Sequence, residues 1–259
     1  PPPPPPRPPP PPPPGPGRGL TLPAPSPGRS RRARVGAGRG AAVAARAEAK
    51  ASRDLWYPGN DPPAYLKGEL PGDYGFDPLS LGSDPKLLKW FQQAELQHAR
   101  WAMLGVVGIL VPDIATVSGV ADIPMWSEAG EAKYFADPLT LFVTELFVMG
   151  WAESRRLQDI LNPGSVNTDP IFGEQNPSFT CTGKDVGYPG GTWFNPFGMA
   201  NDEQVESLRA KEIKNGRLAM VSIVGFTAQT FFLGKGPVEC WLEHLADPYH
   251  TTIFDNIGI

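Results

Sequence analysis

Cysteine is scarce in this 259-residue chain, which contains only Cys181 and Cys240. Neither belongs to a metal-ligand or redox motif, and the topology derived below puts them on opposite membrane faces, so we expect no disulfide. The chain also lacks an uncharged apolar run of the ~20 residues that a bilayer crossing usually needs. A strand pattern is missing as well. These absences leave a helical protein whose apolar segments are interrupted by polar residues.

Acidic residues are almost absent from the first 50 residues, which hold nine basic residues against Glu48 alone. A basic, acid-poor segment without apolar periodicity predicts an organelle transit peptide, with a disordered proline-rich arm as the alternative. Residues 51–259 are then the folded domain. They hold 14 basic and 26 acidic residues, a net charge of −12. This charge argues against a nucleic-acid partner, because phosphates require a basic surface.

Three segments have apolar centres that could cross a bilayer, at residues 87–117, 138–160 and 205–233. On hydropathy alone, each could instead be a buried helix of a soluble protein. Charge favours membrane spans, because the loop 112–137 carries five acidic residues and only Lys133, whereas the opposite side carries repeated lysines and arginines. The predicted fold is an all-α membrane protein with three transmembrane helices and short amphipathic helices, including residues 237–247. The N-terminus then lies on the basic side and the C-terminus on the other.

An internal repeat relates the first and third spans. Residues 94–108 read AELQHARWAMLGVVG and residues 211–225 read KEIKNGRLAMVSIVG, an offset of 117. The repeat continues upstream with a slip of one residue, since FDPLSLGSD matches FNPFGMAND. Two such helices would cross about a pseudo-twofold axis. Small residues predicted to line their seam are Ala102, Gly105, Gly108, Ala219 and Gly225.

The repeat also predicts how charges inside the spans are compensated. An unpaired ionised side chain in a span costs roughly 2.5–3.5 kcal/mol on insertion scales. Glu95 and Arg100 are five residues apart and therefore point about 140° away from each other, so each needs a partner on the other helix. The predicted pairs are Glu95 with Arg217 and Arg100 with Glu212. The pairs could serve only to join the helices, but that interpretation leaves carboxylate lone pairs unused.

The other polar side chains in the spans are separate Lewis bases. His98 and Asn215 each follow a glutamate by three residues, and Gln229 lies about 25 Å along the helix from Glu212. On the second span, Arg156 can offset Glu153. A zinc site needs converging ligands, whereas scattered donors suit metals that each need one axial ligand, such as the magnesium of a tetrapyrrole. Transporters and enzymes remain alternative classes at this point.

The motifs ELQHARWAM, KEIKNGRLAM, PGDYGFDP and GKGPVE resemble those of the light-harvesting chlorophyll a/b-binding family. The resemblance covers about residues 54–254. The stretches LWYPG, GWAESRR, NTDPIFG and TGKDVGYPGGTWFNP are similar to the photosystem I antenna branch. The family fold has three transmembrane helices, in agreement with the spans predicted above.

Carried over by position, the resemblance implies three groups of binding residues. The implied axial ligands of chlorophyll magnesium are Glu95, His98, Glu153, Glu212, Asn215, Gln229 and His244, and Glu145 matches a further pigment position. Compensating arginines are Arg100, Arg156 and Arg217. Asp77 and Asn195 match loop residues at the ends of two crossed xanthophylls.

The resemblance also implies a role and a location. The implied cofactors are chlorophyll a, chlorophyll b, lutein or other xanthophylls, β-carotene and phosphatidylglycerol. The expected protein is not an enzyme but an antenna in the chloroplast thylakoid membrane, with a stromal N-terminus and a lumenal C-terminus. It would pass excitation to the photosystem I core and contact neighbouring antenna subunits and thylakoid lipids. A photoprotective quencher of the same superfamily is the alternative.

Overall fold

The computed structural model describes residues 54–59, 61–168, 180–183, 185–199, 204–253 and 255, all within the unit Ala49–Ile259. Residues 1–50, predicted to be a transit peptide, lie outside this description. The described residues form no β-strand; two 3-10 turns lie at Leu81–Ser83 and Ala129–Glu131. The α-helices are α1 (Pro85–Val117), α2 (Pro138–Leu161), α3 (Gly191–Phe194), α4 (Val205–Leu233) and α5 (Pro237–Ala246).

The helices α1 and α2 begin where the sequence supplies a cap. Asp84 accepts a hydrogen bond of 2.9 Å from the Lys86 amide, and Asp137 accepts one of 3.1 Å from the Leu139 amide. A proline follows each aspartate at the first helical position, where its missing amide hydrogen carries no penalty. The predicted limits of α1, α2 and α4 are therefore correct to within two residues.

The helices α1 and α4 cross in direct contact and form the packed centre of the described chain. Three residues of α1 are buried there, and each has its repeat counterpart buried in α4, 117 positions later: Leu96, Ala99 and Ala102 with Ile213, Gly216 and Ala219. A β-carbon at position 216 would lie only 2.3 Å from the Ala99 Cβ. The crossing therefore depends on a glycine that lets the two backbones approach closely.

The seam was predicted only in part. Ala102 and Ala219 are buried at the crossing, and Gly105 lies against the Ile223 side chain. Gly108 and Gly225 have no neighbouring atom within 4 Å of a would-be β-carbon, so assigning them to the seam was wrong. They lie nine residues beyond Ala99 and Gly216, about 13 Å along each helix. Crossed helices have already diverged at that distance.

Much of the apolar surface of the long helices is exposed. Only 6% of the most apolar window of α1 and 11% of that of α4 is buried within the chain, and both helices are long and apolar enough to cross a membrane. Core helices of a soluble protein would be mostly buried. The helix α2 has 24 residues, but its most apolar window is less apolar than those of α1 and α4, although Phe142, Phe147 and Trp151 are exposed on it. Two of the three predicted spans thus have the required properties, and the third stays a prediction.

The helix α2 stands apart from the crossed pair, since no other described helix packs directly against it. Arg156 and Ile160 of α2 face a cavity of about 660 Å³ whose other walls come from α1 and α4. The separation leaves room for bound molecules rather than side-chain packing.

Candidate functional site

Two ion pairs join α1 and α4 at their crossing. The Arg217 Nε lies 2.7 Å from the Glu95 Oε1, and the Arg100 Nε lies 2.7 Å from the Glu212 Oε1. Both predicted inter-helix pairs are therefore confirmed. In each pair the arginine takes Oε1, and at Glu95 the other oxygen, Oε2, has no hydrogen-bond partner among the described residues.

The same arginines also hold the loops that precede the helices. Arg217 Nη1 donates a hydrogen bond of 2.8 Å to the Gly72 carbonyl, and Arg100 Nη1 donates one of 3.0 Å to the Gly187 carbonyl. Both glycines have positive φ angles, 72° and 84°, which glycine adopts without a steric penalty. Each guanidinium therefore fixes one carboxylate and one loop, so the two halves of the repeat form equivalent sites.

His98 and Asn215 are oriented by equivalent backbone bonds. The His98 Nδ1 lies 2.7 Å from the Ala94 carbonyl oxygen, and the Asn215 Nδ2 donates to the Lys211 carbonyl at 2.9 Å. A carbonyl oxygen can only accept, so Nδ1 of the imidazole carries the proton and Nε2 keeps its lone pair. Both side chains are exposed. Each therefore presents one electron-pair donor, Nε2 or Oδ1, at the helix surface.

On α2, Glu153 and Arg156 form the predicted i,i+3 pair, with Arg156 Nε donating at 2.8 Å to Glu153 Oε2. Glu145 is exposed and has no hydrogen-bond partner among the residues that the structure describes. The two carboxylates lie on a helix that touches no other described helix. They therefore form separate positions rather than a shared centre.

Gln229 and His244 face a common cavity of about 360 Å³ between α4 and α5. The His244 Nδ1 lies 3.2 Å from the Thr251 hydroxyl, whose own proton goes to the Asp247 carbonyl at 2.6 Å. The hydroxyl oxygen therefore accepts from His244 Nδ1, and Nε2 keeps its lone pair. The Gln229 carboxamide has no hydrogen-bond partner within the described part of the chain. The fold brings these two donors together, although they are 15 residues apart.

The loop residues Asp77 and Asn195 make different hydrogen bonds within the protein. The Asp77 carboxylate accepts hydrogen bonds from the Tyr65 hydroxyl at 2.7 Å and from the amides of Gly82 and Leu81 at 2.8 and 3.1 Å. The bond from Tyr65 is the main reason that the pKa of Asp77 lies below its usual range. Asp77 shares a cavity of about 700 Å³ with Glu95 and Arg217. Asn195 follows the short helix α3, and its backbone amide donates a hydrogen bond of 2.9 Å to the Gly191 carbonyl.

The donors described above fit a chelated metal better than a bare ion. No group of three or more His, Cys, Asp or Glu side chains within the described residues could hold a metal ion. Each donor instead stands alone on a helix, and several face roomy cavities with apolar walls. A magnesium already held by the four nitrogens of a tetrapyrrole needs only one such axial ligand. Membrane-type helices that present separate single donors define a pigment-binding membrane protein.

The comparisons with known proteins agree with this class. A family model described as "Chlorophyll A-B binding protein" matches residues 62–231. The chain belongs to this chlorophyll a/b-binding family, which confirms the resemblance stated from the motifs. A chloroplastic chlorophyll a-b binding protein of Petunia hybrida is 56% identical over 204 residues, covering 78% of this chain and 74% of the relative.

Two Arabidopsis thaliana relatives carry photosystem I in their names. Photosystem I chlorophyll a/b-binding protein 6 is 51% identical over 205 residues, covering 78% of this chain and 74% of the relative. Photosystem I chlorophyll a/b-binding protein 5 is 46% identical over 209 residues, covering 79% and 80%. These relatives support the antenna interpretation and do not favour the quencher.

Sequence reasoning missed Tyr188, which lies between two arginines. The Arg209 and Arg100 guanidinium carbons lie 4.1 and 5.3 Å from the centre of its ring. Burial is the main cause that raises the pKa of Tyr188 to about 12, and the negative charge of Glu212 adds to it. No sequence signal places this loop tyrosine beside residue 100, because the contact spans 88 positions.

Proposed function

We propose that this chain is a light-harvesting antenna subunit of photosystem I in the chloroplast thylakoid membrane. The supporting observation is the repeated site at the helix crossing, where each half supplies one arginine-compensated carboxylate and one anchored neutral donor. The names of the relatives support the assignment to photosystem I.

In this proposal, Glu95, His98, Glu153, Glu212, Asn215, Gln229 and His244 are the axial ligands of chlorophyll magnesium, and Glu145 holds a further pigment. Bound chlorophyll a and b would absorb visible light and pass the excitation on to neighbouring pigments. A carboxylate bound to a neutral chlorin leaves a negative charge in an apolar environment. Arg217, Arg100 and Arg156 neutralise that charge at Glu95, Glu212 and Glu153 respectively.

The chain's own residues provide position, orientation and exclusion of water. Excitation transfer depends steeply on the distance between pigments, so the donors must be held rigidly. The backbone bonds of His98 and Asn215 fix their side-chain angles, and the arginine bonds to the Gly72 and Gly187 carbonyls hold the loops that cover the crossing. This role requires no bond to be made or broken, so we propose no enzymatic activity.

The loops at Asp77 and Asn195 are proposed to bind the ends of two crossed xanthophylls, lutein or a related one. The cavity that holds Asp77 also reaches the Glu95–Arg217 pair, so a carotenoid there would lie against the α1–α4 crossing. β-Carotene and phosphatidylglycerol are further proposed ligands. The proposed topology has three spans, α1, α2 and α4, with the N-terminus stromal and the C-terminus lumenal. The proposed neighbours are the photosystem I core, other antenna subunits and thylakoid lipids.

Refolding the purified chain with chlorophyll a, chlorophyll b and xanthophylls tests the proposed function. We expect a stable green complex in which excitation of chlorophyll b produces chlorophyll a fluorescence. In plant membranes the tagged chain should co-sediment with photosystem I. A chain that binds no pigment would contradict the pigment assignment, and recovery only with photosystem II antenna would contradict the photosystem I assignment.

A further inference from the structure

One of the two carboxamides that line the cavity between α1, α2 and α4 has no hydrogen-bond partner among the described residues. The cavity measures about 660 Å³, and its carboxamide, imidazole and guanidinium side chains are Gln93, Gln97, His98 and Arg156. Gln93 donates to the Val186 carbonyl at 3.2 Å, His98 is bound to the Ala94 carbonyl, and Arg156 is bound to Glu153. Gln97 alone among the four has no hydrogen-bond partner within the described residues.

Gln97 is placed to face whatever fills this cavity. It follows Trp90 by seven residues and precedes Trp101 by four, so these side chains share one stripe of α1, and all three line the cavity. The carboxamide is half-buried among largely apolar walls. A glutamine offers two N–H donors, and a donor with neither protein nor water to bind is costly in a membrane environment. A ligand that fills the cavity must therefore supply an acceptor or leave the amide unpaired.

We propose that Gln97 donates a hydrogen bond to the formyl oxygen of a chlorophyll b and thereby makes this cavity selective for chlorophyll b. The inference rests on the proposed pigment binding. It assigns to Gln97 the role of distinguishing chlorophyll b from chlorophyll a. Chlorophyll b carries a ring formyl group where chlorophyll a carries a methyl group. A site with a buried donor discriminates strongly against an analogue that lacks the acceptor, because the donor is then left unsatisfied.

The test compares three refolded proteins, each assembled with the same excess of chlorophyll a and b. Gln97→Met keeps the length and flexibility of the side chain but removes the N–H donors. Gln158→Met is the matched control, because Gln158 is an exposed glutamine of α2 that lines none of the three cavities described above. If Gln97→Met fails to assemble, Gln97→Leu takes its place with the same expectation.

The measurements are pigment content after extraction and the formyl stretching bands in resonance Raman spectra. The unmodified protein should show a formyl band shifted to low frequency by hydrogen bonding. In Gln97→Met that band should move up in frequency or disappear, and one chlorophyll b per protein should be replaced by chlorophyll a with the total chlorophyll unchanged. Gln158→Met should match the unmodified protein.

Several results would overturn the proposal. A pigment-loaded Gln97→Met protein with unchanged formyl bands and an unchanged ratio of chlorophyll b to a would contradict it while leaving the antenna function intact. Movement of only the ring keto band would rule out chlorophyll b selectivity. The same change in Gln158→Met would show that the effect is not specific to the cavity. An unmodified protein that binds no chlorophyll would remove the proposed function and this inference together.

Discussion

Ala99 and Gly216 meet at the crossing of α1 and α4, and they are the same position in the two halves of the repeat, 117 residues apart. A β-carbon on residue 216 would lie 2.3 Å from the Ala99 Cβ and 3.0 Å from the Ala99 Cα. One of the two equivalent positions is an alanine and the other has no side chain. The pseudo-twofold axis therefore passes through a contact that only one methyl group can occupy.

The substitution Gly216→Ala should disrupt the crossing. Overpacking usually costs about 1–3 kcal/mol, and here the obstacle includes backbone, which cannot rotate away. We expect a sharply lower refolding yield with pigments and a lower thermal midpoint of the visible circular dichroism. Gly225→Ala is the matched control, since no atom lies within 4 Å of its would-be β-carbon. Equal effects of the two substitutions would contradict the assignment of the crossing point.

The substitution Arg217→Leu should leave Glu95 without a countercharge and release the Gly72 carbonyl. Lipid and pigment would exclude water from this pair, so the loss should approach the roughly 3–5 kcal/mol of a broken buried pair. We expect a lower thermal midpoint and the loss of one chlorophyll per refolded protein. Adding Glu95→Leu removes the unpaired charge, so stability should partly return while that chlorophyll stays absent. A single variant with full pigment content would argue against the pairing as a pigment site.

Exchanging the two neutral donors tests whether they are equivalent. His98 and Asn215 are held by the same type of bond to the carbonyl four residues earlier. His98→Asn and Asn215→His should therefore each keep the full number of chlorophylls. Their absorption should shift, because the donor atom lies at a different distance from the helix axis. His98→Leu and Asn215→Leu offer no lone pair and should each lose one chlorophyll. Pigment extraction and low-temperature fluorescence measure both effects, and unchanged content in the leucine variants would contradict ligation.

Asp113 connects α1 to the start of α5. Its Oδ2 accepts a hydrogen bond of 2.8 Å from the Val238 amide, in the first turn of α5. Asp113→Ala removes this cap, which should cost about 0.5–2 kcal/mol. Since α5 carries His244, we expect the chlorophyll bound to His244 to dissociate first on heating. Asp137→Ala is the control, because Asp137 caps α2 instead. Identical melting of all pigments in both variants would count against this role.

Tyr188 should ionise at a higher pH than an ordinary phenol. Its pKa of about 12 in the folded chain exceeds the ordinary value of 10.0 because burial disfavours the phenolate. The contribution of protonated Tyr188 to the free energy of unfolding is therefore complete below pH 10 and is lost as the pH approaches 12. The difference in tyrosinate absorption between the unmodified protein and Tyr188→Phe should show no titration of this residue at pH 10. A midpoint at or below pH 10 would refute the buried environment.

The helices and the charge partners at the crossing could be predicted from the amino-acid sequence alone. The helix limits could be predicted because caps, prolines and apolar periodicity are local features that involve only a few neighbouring residues. The two inter-helix ion pairs could be predicted because the helical pitch keeps Glu95 away from Arg100 on the same helix. The repeat then offers one symmetric alternative, in which each glutamate pairs with the arginine of the other helix. The family was readable from the same motifs, since they contain both the charges and the neutral donors.

The point at which the helices touch, and the distant residues that share a cavity, became known from the three-dimensional fold and could not be predicted from the sequence. Small residues occur all along both repeats, but two straight helices inclined to each other can touch closely at one point alone. That point is Ala99–Gly216, and Gly108 and Gly225 lie beyond it. Contacts between separate segments also bring Gln229 close to His244 and stack Tyr188 on Arg209. They also enclose the cavity in which the Gln97 amide has no partner among the described residues. Sequence periodicity describes the faces of one helix, whereas these contacts follow from the packing geometry between elements.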